Sequence, residues 1–228
     1  MKHTENKNRK KLVVLLAMSA FAFAVTRGTL AYFTDTKSIS NEFTSGSVEI
    51  KLEESVVIQD VDAYGNNKWS LDPNEKTEEG NKYELVYPGA VLPKDPTITN
   101  LGDNAANIRV KVVIENWEEW KTALDMEDAG GTDGTFANMI FANINDDFKF
   151  TEGIIVDEKL TCVYIYDEVL VTEGTTPPVF TAINIPTSLT EKDVEALNGT
   201  VTVIADAIQA VEAFTIENMW SKYDAQNQ

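Results

Sequence analysis

Ile108, Val110, Val112 and Ile114 alternate with Arg109, Lys111, Val113 and Glu115. A two-residue period sends successive side chains to opposite faces of a strand, so this stretch buries one face and wets the other only as β structure. A helix would scatter the four apolar residues around its circumference. The pattern recurs where Val48, Ile50 and Leu52 alternate with Glu49, Lys51 and Glu53. Leu160 to Val171 and Thr200 to Ile208 carry the β-branched and aromatic density of further strands. Strands with one buried and one solvated face belong to antiparallel sheets; parallel strands, covered on both faces, read as continuous apolar runs. Turn residues separate the runs at Tyr87-Pro88-Gly89, Asn100-Leu101-Gly102-Asp103 and Gly174-Thr175-Thr176-Pro177-Pro178.

Three short helices are expected between the strands. Trp117, Trp120 and Leu124 share one helical face within Asn116 to Met126. Thr190-Glu191-Lys192-Asp193 resembles a capping box opening a helix through Leu197. Ile216, Met219, Trp220 and Tyr223 form a stripe in Thr215 to Tyr223, and such a stripe is normally core. The expected fold class is mainly β: an antiparallel β-sandwich, jelly-roll-like, with a few short helices.

The N-terminus reads differently. Lys2, Lys7, Arg9, Lys10 and Lys11 precede an unbroken apolar or small-residue run from Leu12 to Val25. As a helix that run would rise about 21 Å, short of the roughly 30 Å of a bilayer core. Arg27 ends it, and Thr29 and Ala31 make a small-x-small exit. Residues 1–31 are therefore expected to be a signal peptide cut between Ala31 and Tyr32, with membrane contact only before cleavage. Residues 32–228 are then a single domain, with no linker or internal repeat.

Export changes the charge. The chain carries a formal −18, but residues 1–31 remove six of 19 basic and one of 37 acidic side chains, leaving −23. Such a surface repels phosphates, so nucleic acid and anionic lipid are not expected partners. Cys162 is the lone cysteine and cannot form an intrachain disulfide. The one histidine, His3, leaves with the signal peptide, which removes Ser–His and Cys–His nucleophiles and His-ligated zinc. A carboxylate pair for hydrolysis stays open, with nothing to select one pair among so many acids. Asp60-Val61-Asp62-Ala63-Tyr64-Gly65 imitates a calcium loop, but position 12 is Leu71 where a Glu is required, so a polar turn is expected. Acidic patches at Asn143, Asn145, Asp146 and Asp147, and at Asp125, Glu127, Asp128 and Asp133, lack a ligand pattern. No cofactor or metal is expected.

GTLAYFTDTKSISNEFTSGSVEIKL, from Gly28 to Leu52, resembles the start of the TasA/camelysin family. The resemblance rests on Gly28, Thr29, Ala31, Phe33, Thr34, Asp35, Phe43, Ser45 and Gly46. It continues through Tyr87-Pro88-Gly89, Ile98 to Gly102, Ile108 to Val112, Ala205 to Ala210 and Trp220. It implies an exported structural protein of the biofilm matrix or cell surface, processed by a signal peptidase of the SipW type. It further implies fibres in which an N-terminal strand of one subunit completes the sheet of the next, with self and other matrix proteins as partners. The candidate donor strand lies within 32–52, anchored by Tyr32, Phe33, Ile39 and Phe43. A strand added at a sheet edge gains main-chain hydrogen bonds and side-chain pockets. The same segment could fold onto its own sandwich as a monomer, and a monomeric surface-binding module stays open beside assembly. The family's peptidase label is not carried over, for want of histidine. The insert around 117–150 has no counterpart in the resembling motifs.

Overall fold

The computed structural model describes residues 46–197, 199–213 and 215–226. The expected signal peptide, its exit at Thr29, Ala31 and Tyr32, and the strand anchors Phe33, Ile39 and Phe43 lie outside the described residues.

The alternating stretch forms β5 (Ala106–Ile114), and Ile108, Val110, Val112 and Ile114 on its inner face are fully buried. On one side it pairs with β10 (Val201–Gln209) and on the other with β8 (Lys159–Tyr166). β7 (Phe148–Val156) completes an antiparallel sheet of order β10-β5-β8-β7. A second sheet has β1 (Ile50–Val61) between β2 (Asn67–Thr77) and β4 (Thr97–Asn100). A third has β9 (Ala182–Asn184) between β3 (Val91–Pro93) and β6 (Phe141–Ala142). Leu92, Ile98, Phe141 and Ile183 from these smaller sheets join the inward residues of β5 and β8 in one core. The fold is mainly β and antiparallel, as the alternation requires.

Two strands differ from their expected course. The run predicted through Val171 leaves the sheet after Tyr166, and Leu170 rejoins only through a bridge to Ala106. β2 was not legible, because NKWSLDPNEKT has no clean alternation and contains Pro73. Proline cannot donate to a ladder, and Pro73 falls in the gap where the β1–β2 register shifts between Ser55 and Val57.

The predicted helices appear as α1 (Trp117–Ala123), α4 (Glu191–Leu197) and α5 (Ile216–Gln226); α2 (Asp128–Thr132) and α3 (Thr135–Ile140) were not foreseen. α4 opens on reciprocal bonds: the Thr190 hydroxyl accepts from the Asp193 N–H at 3.2 Å, and Asp193 accepts from the Thr190 N–H at 2.8 Å. Trp117 and Trp120 of α1 meet Phe136 of α3 edge-on, with ring centroids 5.1 and 5.5 Å apart. Glycine opposes helix formation, yet α2 contains two. A Cβ on Gly131 would stand 2.8 Å from the Trp117 ring, so packing overrides propensity.

Candidate functional site

Three segments that carry the sequence resemblance converge at one end of the domain. Ser47 and Glu49 accept backbone bonds from the turn at 101–104: Leu101 N–H to Glu49 at 2.8 Å, and Asn104 N–H to Ser47 at 3.3 Å. A Cβ on Gly102 would fall 2.6 Å from the Ser47 carbonyl oxygen, and one on Gly46 would strike Asn104. Glycine at 102 is thus a steric requirement, because the obstacle is backbone, whereas at 46 the Asn104 side chain would have to move aside. The turn leads into Ala105, whose carbonyl accepts the Ala210 N–H at 2.8 Å, just past the end of β10. The first described residues therefore lie against the turn that feeds β5, beside the end of β10.

Among the described residues β10 is an edge strand. Its partner bonds run Thr200 carbonyl to Glu115 N–H and Ala105 carbonyl to Ala210 N–H. Antiparallel pairs alternate between bonded and non-bonded residues. The register Val201↔Ile114 to Gln209↔Ala106 thus turns the backbone groups of Val201, Val203, Ala205, Ala207 and Gln209 away from β5. Among the described residues no strand pairs with that side. Val201, Val203, Ala205 and Ala207 also face the core, but they are only half-buried, whereas their β5 neighbours are fully buried. A backbone edge and a strip of core are incompletely covered at the same place.

The outer face of the same strands is not the wet face the alternation predicts. Arg109 lies opposite Asp206, and its side chain is 8 % exposed. Its Nε and Nη2 donate to Asp206 at 3.2 and 3.1 Å, while Nη1 donates to both oxygens of Asp224 on α5 at 2.9 Å. Trp220 places its ring 4.3 Å from the guanidinium carbon, and Tyr223 at 5.6 Å. Lys111 also reaches Asp206, at 2.7 Å. Burial would raise the Asp206 carboxyl, but hydrogen bonds from Lys111 and Arg109 and their charges outweigh it and hold it below its usual value. Of the α5 stripe only Met219 and Trp220 are buried, outside the main core and with Trp220 over Arg109; Ile216 is half-buried and Tyr223 exposed. No local signal in the sequence marked the burial of Arg109, because the partners Asp206 and Asp224 lie far along the chain.

Asp62 closes the β1–β2 hairpin as a polar turn, accepting from the N–H groups of Tyr64 and Asn66 at 2.8 and 2.9 Å. An open groove of about 410 Å³ between α1 and α4 is lined by Glu118, Glu119 and Asp193 among others. Its Asp193 carboxyl is held down by the Thr190 hydroxyl and N–H, the opposite of the raised acid that a general-acid site uses. Cys162 is buried, and burial pushes its thiol up to about 12, so it is no ready nucleophile or ligand.

Residues 7–66 match the family model of camelysin metallo-endopeptidase. Over that stretch the chain is similar to the camelysin family. The match takes in the apolar N-terminal run, the segment from Tyr32, and β1 with its turn. No curated protein and no solved structure matches the chain. The camelysin description implies a catalytic metal, and the described residues do not offer one a ligand set. The chain's single histidine is His3, and among the described residues no three His, Cys, Asp or Glu side chains gather to hold an ion. Among the described residues no helix is long and apolar enough to cross a membrane.

Proposed function

We propose that the chain is an exported structural protein of the cell surface or extracellular matrix that assembles into fibres, without peptidase activity. Residues 1–31 direct export and are removed by a signal peptidase of the SipW type. Tyr32 to Phe43 of one copy then adds to the sandwich of the next. The observation that carries this reading is the β10 edge, where outward backbone groups coincide with half-buried Val201, Val203, Ala205 and Ala207. Phe33, Ile39 and Phe43 are separated by even numbers of residues, so an extended segment presents them on one side. A contact between two different surfaces of one chain repeats without closing, which yields filaments.

The test compares a chain beginning at Tyr32 with one beginning at Gly46, at equal concentration, by electron microscopy and light scattering. Ordered fibres are expected from the first alone. Equal fibre yield from both would remove the N-terminal strand as the link and favour the monomeric surface module.

A further inference from the structure

Glu54 and Lys94 are the most conspicuous misfits of the fold: a carboxylate 4 % exposed in the middle of β1, and an amine 7 % exposed just after β3. Buried charges persist only when paired and hydrogen-bonded. Here Oε2 of Glu54 bonds the Lys94 amine, while Oε1 accepts from Nδ2 of Asn81 at 2.8 Å. One carboxylate therefore touches both an amine and a side-chain amide.

The amide is held at its other atoms as well. Asn81 Nδ2 also donates to the Ser55 carbonyl at 2.8 Å, and its Oδ1 accepts the Val57 N–H at 2.7 Å. That N–H reaches the amide at the place where the β1–β2 register shifts, between Ser55 and Val57. Tyr83 stands beside the group, its hydroxyl donating to the Pro93 carbonyl at 2.5 Å. Burial, and then the charges of Glu54 and Asp95, push its phenol well up.

A buried amine, an amide with its oxygen already hydrogen-bonded, and a carboxylate bridging the two are the parts that acyl transfer requires: nucleophile, polarised electrophile and proton carrier. We propose that Lys94 and Asn81 become joined by an intramolecular isopeptide bond, with Glu54 as the catalytic acid–base. Lys94 passes a proton to Glu54, and the freed electron pair on Nζ attacks Cγ of Asn81. The C=O π electrons move to Oδ1, which the Val57 N–H stabilises. The Cγ–Nδ2 bond then breaks as the carbonyl re-forms. The Asn81 nitrogen leaves as ammonium, carrying the proton Lys94 first gave to Glu54 and the one Nζ loses on becoming an amide. Glu54 ends as the carboxylate it began as, and no oxidant or cofactor is consumed. The product is a covalent clasp between the two ends of the Asn81–Lys94 segment, which carries the Tyr83 and Tyr87 rings against Trp69. It would serve a chain with a single cysteine as a disulfide cannot.

Lys76 is a built-in control. Its amine bonds the Ser55 hydroxyl at 2.9 Å and the Asp95 carboxylate at 3.3 Å rather than a side-chain amide. The experiment is intact-mass and peptide-mapping spectrometry of the purified full chain under denaturing conditions. Wild type and Lys76→Arg should each be one ammonia lighter than their sequences, with a branched peptide joining residues 81 and 94. Glu54→Gln, Lys94→Arg and Asn81→Ala should each restore the full mass, with circular dichroism confirming the fold. Full mass in the wild type, with residues 81 and 94 in separate linear peptides, would overturn the proposal. So would ammonia loss at Asn81 without attachment to Lys94. The wild-type map decides the matter even where a variant fails to fold.

Discussion

The two end strands of the four-stranded sheet are finished in opposite ways. At β7 the strand is bulged between Phe150 and Glu152, and its core-facing Gly153 is pressed under α2, where a Cβ would lie 2.3 Å from the Gly131 carbonyl oxygen. Bulges and covering elements are common means of keeping a strand end from recruiting another chain. At β10 neither device is present among the described residues: the register is continuous over nine pairs, and the core-facing side chains are half covered. What covers β10 is on its other face, where Arg109 holds α5 down. Among the described residues β7 is thus irregular and covered on its core face, whereas β10 presents a regular edge beside a half-covered strip of core.

Breaking the open edge should give the largest effect. Val203→Pro removes an N–H that points away from β5, leaving the ladder to β5 intact while blocking any strand on the far side. Fibre growth is expected to stop, with melting lowered by only a few degrees for a loss of about 1–2 kcal/mol. Fibres at wild-type yield would move the link to another edge.

Next in size is the clamp behind that edge. Arg109→Met leaves Asp224 without its guanidinium and strips the cation from beneath Trp220. Removing one partner of a fully buried pair costs about 3–5 kcal/mol; Asp224 is 45 % exposed on its side chain, so about 2–3 kcal/mol is expected here. A red-shifted tryptophan emission and faster proteolysis after Gln209 would report α5 coming loose.

Gly153→Ala attacks the closed end. The added methyl must displace the α2 backbone, at an expected cost of about 1–2 kcal/mol. Chemical denaturation would measure it, and disordered aggregates rather than fibres should accompany it, because β7 lacks a regular register to template a strand. Ordered fibres with this variant would erase the distinction between the two ends.

The smallest effect is acidification. Asp206 is held below its ordinary value of 3.8, so its contribution to stability is full above that pH and is lost as pH falls through the lower folded value. Wild type should lose melting temperature faster than Asp206→Asn as pH drops below the ordinary aspartate range.

The sequence makes the centre of the four-stranded sheet plain because β5 buries Ile108, Val110, Val112 and Ile114 at period two, and three helices are plain because their aromatic stripes and cap residues are local. β2 escapes because its shape comes from pairing with β1 across a register shift, with Pro73 in the gap. α2 escapes because Gly130 and Gly131 are chosen for close packing against propensity. The outer face of β5 reads as wet because nothing within Ile108 to Ile114 reveals that a helix more than a hundred residues later will cover Arg109. The β10 edge could not be read at all: Thr200 to Ile208 is visibly a strand, but which of its sides lacks a neighbour is a property of topology.

Backbone hydrogen exchange at β10 tests the central claim most directly. The amides of Val201, Val203, Ala205, Ala207 and Gln209 point away from β5, whereas those of Thr202, Ile204, Asp206 and Ile208 point toward it. In unassembled chain starting at Tyr32 the first set should exchange quickly and the second slowly; in assembled material both sets should be slow. Outward amides that stay fast in the assembled state, or new protection confined to β7, would contradict the account.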